Sequence, residues 1–217
     1  MIWLPRSVVS VIVLLAVSAC ASTTDVQPPS DLEKSLREAK FFEPPSLGDA
    51  SRDVDDLPVL ELEHEDIRGG AMWFALDGSP EEVFEALLDF EEAAGHRSWA
   101  KEFDVLERVD DRVVARWHFE GKMGINPECV LVFEPVKLGD RRIIRYEQRE
   151  TSFGLAAFFG DYQIVPVKDR PNRSILGERV FIDSGLFFVN ASEEDIADGL
   201  REDARRLREW MKERSGR

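Results

Sequence analysis

The chain has 217 residues, 43% of them hydrophobic and 33% charged, with 14 Gly, 11 Pro, 2 Cys and a formal net charge of −15. That length and apolar content fit one core-forming domain and argue against global disorder, and two cysteines cannot make a disulfide-dense scaffold. An acidic surface repels phosphates, so no nucleic-acid groove, which needs clustered Lys and Arg, is expected.

The first element in the chain is an address. Met1 to Arg6 carries one positive charge and no acid, Ser7 to Val17 is apolar, and Ser18 and Ala19 are small. Such a stretch reads as a signal peptide over residues 1–19, too short to span a bilayer as a helix. The run Leu15-Ala16-Val17-Ser18-Ala19-Cys20 resembles a bacterial lipobox. The resemblance implies cleavage before Cys20, acylation of its thiol, and a membrane partner reached through that lipid anchor. Several acyl chains, at roughly 0.8 kcal/mol per buried methylene, hold a protein where one chain would be marginal. Ala21, where an aspartate tends to mark inner-membrane retention in such lipoproteins, points to the outer membrane, facing the periplasm, with the inner membrane as the alternative. With Cys20 acylated, Cys129 has no partner in the chain and reads as a small apolar strand residue. A reactive thiol would need a neighbouring His or Lys to lower its pKa.

Residues 20–65 read as a tether. Pro28-Pro29, Pro44-Pro45 and the acids between Asp49 and Asp56 interrupt any long periodicity. Ser30 and Glu33 form a capping box before Leu32 and Leu36, which predicts a short helix ending before Pro44. Leu32, Leu36, Phe41 and Phe42 would dock that helix on the domain, or leave it frayed.

Residues 66–217 read as the folded domain. A strand is predicted over Ile67–Leu76, and Ser79-Pro80-Glu81-Glu82 opens a helix with its own capping box. After a second short helix, from Glu91 to Ala100, come six β-patterned segments: Phe103–Val109, Arg112–Gly121, Glu128–Pro135, Arg142–Arg149, Phe159–Val167 and Ser174–Asp183. Their short connections forbid parallel crossovers and predict an antiparallel meander. A long helix capped by Ser192 and Asp195 then places Ile196, Leu200, Ala204, Leu207 and Met211 on one face. The surface that can bury this stripe is the concave side of the meander, where Val113, Ala115, Trp117 and Phe119 project at period two. The fold class is therefore α+β, a curved antiparallel sheet gripping a long C-terminal helix.

The order β-α-α-β6-α, the stretch Ser79-Pro80-Glu81-Glu82-Val83-Phe84-Glu85-Ala86-Leu87-Leu88-Asp89-Phe90, Trp99, and Gly160-x-Tyr162-x-Ile164-x-Pro166 resemble the START-like (SRPBCC) helix-grip superfamily. The nearest branch is that of the polyketide cyclase/dehydrase and coenzyme Q-binding proteins. The resemblance implies an apolar cavity between the long helix and the sheet, and a hydrophobic small molecule as its partner. Pro80, Phe90 and Trp99 are scaffold positions, so no catalytic residue carries over.

A search for chemistry returns little. His64, His96 and His118 share no metal-ligand spacing, and no hydrolase elbow, phosphate loop or dinucleotide fingerprint occurs, so neither metal nor cofactor is expected. The strand residues Arg116, His118, Glu120, Arg145 and Glu147 either line a cavity or form the solvated face of the sheet.

One asymmetry stands out. The three connections that share one rim of the meander carry Met123, Ile125, Phe153, Leu155, Phe158, Leu186, Phe187, Phe188 and Val189, whereas those at the other end are polar. Loops rarely hold so many large apolar groups. The rim reads as a gate for a lipid-like ligand or a membrane-touching patch, or else as a plug on the core. The ligand-binding candidates are Trp117, Phe119, Phe133, Tyr162, Leu200 and Leu207 inside, with Phe153, Phe158, Phe187 and Phe188 at the rim. They suit a binding or transfer module for a lipid or isoprenoid-like molecule. A cavity enzyme of cyclase/dehydrase type would add ionisable groups pointing inward, and a structural protein would fill the interior with Trp117, Phe119, Phe133 and Tyr162.

Overall fold

Alternation of apolar and polar residues determines which side of each strand turns inward, and the computed structural model places those sides on one curved sheet. It describes residues 44–64, 66–93, 100–119, 128–151, 155–183 and 191–215. The elements are α1 (Leu47–Ala50), a 3-10 turn (Val54–Asp56), β1 (Val59–His64), β2 (Ile67–Asp77), α2 (Pro80–Leu88), α3 (Phe90–Ala93), β3 (Ala100–Val109), β4 (Arg112–Phe119), β5 (Glu128–Leu138), β6 (Arg141–Thr151), β7 (Ala157–Val167), β8 (Arg170–Asp183) and α4 (Glu193–Ser215). The eight strands pair antiparallel in the order β1-β2-β8-β7-β6-β5-β4-β3. The expected α+β helix-grip architecture is thus present.

Three of the hairpins turn tightly. Asp110, Gly139 and Asp169 take φ of 54°, 63° and 61°, the left-handed region that two-residue hairpins require and that Gly and Asp tolerate best. The strands outrun the predicted segments here. β5 continues to Leu138, 63% exposed, and β8 starts at Arg170, because a hairpin end beyond the core keeps its ladder hydrogen bonds after its apolar alternation has stopped.

α2 begins as expected: the Ser79 hydroxyl accepts from the Glu82 amide at 3.3 Å, and the Glu82 carboxylate accepts from the Ser79 amide at 2.7 Å. The described part of the second helix is Phe90–Ala93, residues 94–99 lie outside the described residues, and Ala100, the predicted last helical residue, is in β3. Ser192 and Asp195 cap α4 reciprocally, at 3.1 and 2.9 Å. Ile196, Leu200, Ala204, Leu207 and Met211 are all buried against the concave face, as the periodicity predicts. α4 packs closest to β2, where Gly70 admits it: a Cβ there would meet Ile196 Cγ2 at 2.8 Å and Leu200 Cδ1 at 2.9 Å.

The tether boundary needs correction. From Leu47 to His64 the chain belongs to the folded unit, with Ala50, Val54 and Leu57 buried. The acids that suggested a solvated spacer act as caps instead: Ser46 and Asp49 close α1, and Asp53 accepts from the Asp55 amide at 3.2 Å. Arg208 of α4 clamps this strap, donating to the carbonyls of Ala50 (2.6 Å), Arg52 (2.8 Å) and Ala75 (3.2 Å). The signal peptide, Cys20, the predicted helix at residues 30–43, Trp99, His96, Met123, Ile125, Phe153 and residues 186–189 lie outside the described residues.

Candidate functional site

The concave face carries one continuous apolar cluster that reaches from β2 across β4–β8 to α2 and α4. Trp117, Phe119, Phe133 and Tyr162 all belong to it, with Leu200 and Leu207 entering from the helix. Their rings touch. Trp117 stacks on Phe133 at 5.4 Å between centroids and meets Phe103 edge-on at 4.3 Å, Phe119 meets Phe158 at 5.3 Å, and Tyr146 meets Tyr162 at 5.5 Å. These spacings are those of favourable aromatic pairs, and the buried rings of Trp117, Phe119, Phe133 and Tyr162 pack within one cluster, the arrangement expected of the structural-protein alternative. Two rim candidates, Leu155 and Phe158, are core residues, 4% and 2% exposed. Phe158 closes the aromatic cluster from the rim side, since β7 has begun by Ala157 and period two turns residue 158 inward.

Tyr146 reaches across the inner face to donate to the Arg179 carbonyl at 3.2 Å. Glycine at 160 is required by this route, because a Cβ would fall 2.5 Å from the Tyr146 hydroxyl. Gln148 is buried beside it and donates to the Leu155 carbonyl at 3.2 Å.

Two carboxylates share this interior, and sequence reasoning missed both. Glu178 lies on β8 between Leu176 and Val180, opposite Met72 on one side and Tyr162 on the other, so its side chain points to the concave face; it is 2% exposed. Asp203 sits between Leu200 and Leu207 in the inward stripe of α4 and is also 2% exposed. α4 and β2 run in the same direction, with Ile196 and Leu200 over Gly70 and Met211 at Gly78. Asp203 therefore comes level with Met72 to Phe74, next to the strand that carries Glu178. An apolar enclosure with a few convergent polar groups is the common form of a small-molecule site. Both acids were legible: Glu178 shares parity with Leu176 and Val180, and Asp203 lies three residues after Leu200 and four before Leu207.

The other candidates turn outward or are inert. Arg116 and His118 alternate with the inward Ala115, Trp117 and Phe119, while Arg145 and Glu147 alternate with Ile144 and Tyr146. His118 lies 3.3 Å from Glu128 and 3.6 Å from Asp104 on the outer side. Glu147 has its pKa raised by partial burial and then by Glu134. These four residues lie on the outer face of the sheet, not in a cavity lining, and Glu120 lies outside the described residues. Burial pushes the Cys129 thiol far above its usual range, so it behaves as an apolar residue. Among the described residues no His, Cys, Asp and Glu group has metal-binding geometry, and no helix is long and apolar enough to cross a membrane. A separate hollow of about 390 Å³ lies between the strap and the β1–β2 hairpin, lined by Pro45, Arg52, Leu57, Leu60, Ala71 and Trp73 among others.

No family model and no curated protein matches the chain. Solved structures do. A STAR-related lipid transfer protein from Xanthomonas axonopodis superposes with a TM-score of 0.60 at 15% identity, over 75% of this chain and 97% of that one. The Zhui aromatase/cyclase from Streptomyces sp. R1128 gives 0.54 at 16% identity, over 69% and 96%. A START superfamily protein from Mycobacterium smegmatis gives 0.55 at 16%, over 67% and 97%. At these identities the likeness establishes the fold, the START-like helix grip.

Proposed function

We propose that the protein is a membrane-anchored binding or transfer module for a hydrophobic small molecule, lipid or isoprenoid-like, held between the concave face and α4. The observation that carries this reading is the pair of buried carboxylates, Glu178 and Asp203, within an aromatic interior. Two acidic side chains, each 2% exposed, give that interior a polar end as well as an apolar body. A ligand site has a use for it: the rings enclose the apolar body, and the carboxylates orient a hydroxyl or amine at its polar end. Solved proteins of this fold include one described as a lipid transfer protein and one described as an aromatase/cyclase, which supports the same ligand class. Acylation at Cys20 would anchor the module to the outer membrane, facing the periplasm.

The same two acids favour one second reading, an enzyme using this interior, since buried carboxylates whose environments differ can serve as acid and base. Titration of the full chain with a fluorescent fatty-acid or isoprenoid probe tests the binding reading. Saturable binding to one site is expected, lowered by Phe153→Asp or Phe187→Asp at the rim and unaffected by Asp111→Asn at the opposite end. A probe that never saturates would overturn it. Turnover of a bound ligand that stops in Glu178→Gln while binding persists would favour the enzyme. Cys20→Ser should move the protein from the membrane to the soluble fraction or leave it uncleaved. Membrane association after cleavage of that variant would overturn the anchor.

A further inference from the structure

We propose that the pocket between the strap, the end of β2 and the C-terminal half of α4 binds a phosphate group, free or as part of a lipid headgroup. Its place follows from the sheet. β1 pairs with β2 only as far as Met72, whereas β8 pairs with the other side of β2 up to Asp77. Among the described strands, β2 beyond Met72 therefore has a partner on one side only, and Arg208 of α4 donates on its open side to the Ala75 carbonyl at 3.2 Å. A pocket of about 250 Å³ lies beside this contact, lined by Ser51, Asp77, Arg173, Arg208, Glu209 and Lys212. None of these residues belongs to the aromatic interior, so the inference does not rest on the ligand proposed for that interior.

Three cations and two acids line the pocket, a local reversal of sign in a chain of formal net charge −15. The cations are incompletely matched. Arg173 makes one short ion pair, to Asp77 at 2.6 Å; its other Nη reaches only the Ser51 hydroxyl, at 3.5 Å, and its Nε is buried with no hydrogen-bond partner. A buried donor without an acceptor is rare in a folded protein, and an ion beside it supplies one. Arg208 gives its three nitrogens to the carbonyls of Ala50, Arg52 and Ala75, which bear no net charge. Lys212, exposed in the next turn of α4, makes neither a hydrogen bond nor an ion pair among the described residues. Burial lowers the pKa of Arg208, Asp53 opposes that shift and Arg173 adds to it, so the two guanidiniums are close enough to repel.

An anion held between Arg173, Arg208 and Lys212 relieves that repulsion. Phosphate suits the set because its several oxygens can accept from guanidinium, ammonium and hydroxyl groups at once. The Ser51 hydroxyl, which accepts from Arg173, keeps its own proton to donate. The acidity of the whole chain does not forbid this, since salt screens distant charges while groups in contact with the anion act at full strength.

Calorimetric titration of the full chain with inorganic phosphate at low salt tests the proposal. One saturable site is expected. Lys212→Gln changes an exposed side chain with no bond to lose, so its melting temperature should match the parent while its phosphate affinity falls about three- to tenfold. Glu209→Gln, which removes an acid from the pocket, should raise the affinity about two- to threefold. A merely structural role for these side chains would leave phosphate affinity unmoved. Absence of saturable phosphate binding in the parent would overturn the proposal, and so would equal affinities for the parent and both variants. Competition then assigns the source. If phosphatidylcholine vesicles containing phosphatidylglycerol displace phosphate from the parent and pure phosphatidylcholine vesicles do not, the pocket takes a lipid headgroup; if neither displaces it, the pocket takes a soluble phosphate, and either result supports the site.

Discussion

Glu178 and Arg179 are consecutive on β8, and each is almost fully buried, yet they face opposite sides of the sheet into opposite kinds of surroundings. Arg179 meets Asp161 in a two-pronged ion pair on the outer side, which is how a buried charge is made tolerable. Glu178 enters an aromatic interior that holds a second acid, Asp203. The outer pair has the form of a structural element. The inner acids lie in an apolar enclosure with convergent polar groups, the common form of a small-molecule site, and on the proposed reading they would orient the polar end of a ligand.

The comparison breaks most readily on its outer side. Asp161→Ala leaves the Arg179 guanidinium buried without its carboxylate and should cost about 3–5 kcal/mol in denaturant unfolding. Probe affinity at temperatures where the variant is folded should be unchanged. A change in affinity with little loss of stability would mean that the outer pair belongs to the site.

Leu207→Ala, which empties space between α4 and the sheet, should cost about 2–5 kcal/mol. Arg205→Ala on the same helix removes only exposed ion pairs with Asp55 and Glu202, so its cost should stay within about 1 kcal/mol. Equal melting temperatures for parent and Leu207→Ala would mean that the helix is not gripped.

The inner side should respond in the opposite sense. Glu178→Gln keeps the shape and a hydrogen-bonding head, so stability should stay within about 1 kcal/mol of the parent. Binding of a probe with a hydroxyl or amine head should fall about tenfold, the scale of one hydrogen bond to a charged group, while an all-hydrocarbon probe binds as before. Equal loss for both probes would assign Glu178 to packing.

The smallest effect belongs to pH. Hydrogen bonds from the Ser79 backbone and then its hydroxyl hold the Glu82 carboxyl below the usual glutamate range. Its contribution is therefore complete above that range and is lost as pH falls through the lowered folded value. Glu82 is nearly exposed, so Glu82→Gln should flatten the acid limb of the stability curve by no more than about 0.5 kcal/mol.

The sheet, the long helix and the capping boxes of Ser79 and Ser192 were legible because each depends on local periodicity or on residues three apart. β1 was legible in principle: Leu60 and Leu62 alternate with Glu61 and Glu63, but the acids before them set the context of a tether. The strap could not be read, because its order comes from Arg208, more than 150 residues away, donating to the carbonyls of Ala50 and Arg52. In the interior, Trp117, Phe119, Phe133, Tyr162, Leu200 and Leu207 followed from parity and helical spacing. Glu178 and Asp203 escaped because charged residues are first assigned to solvent, although their positions obeyed the inward pattern.

The central claim, that the interior holds a hydrophobic small molecule, is tested most directly by native mass spectrometry of the full protein extracted from membranes. The account predicts the mass of the acylated chain plus a lipid-sized adduct that leaves under mild collisional activation without loss of the covalent acyl groups. The bare acylated chain at every activation energy, from preparations in which the protein is folded, would contradict it.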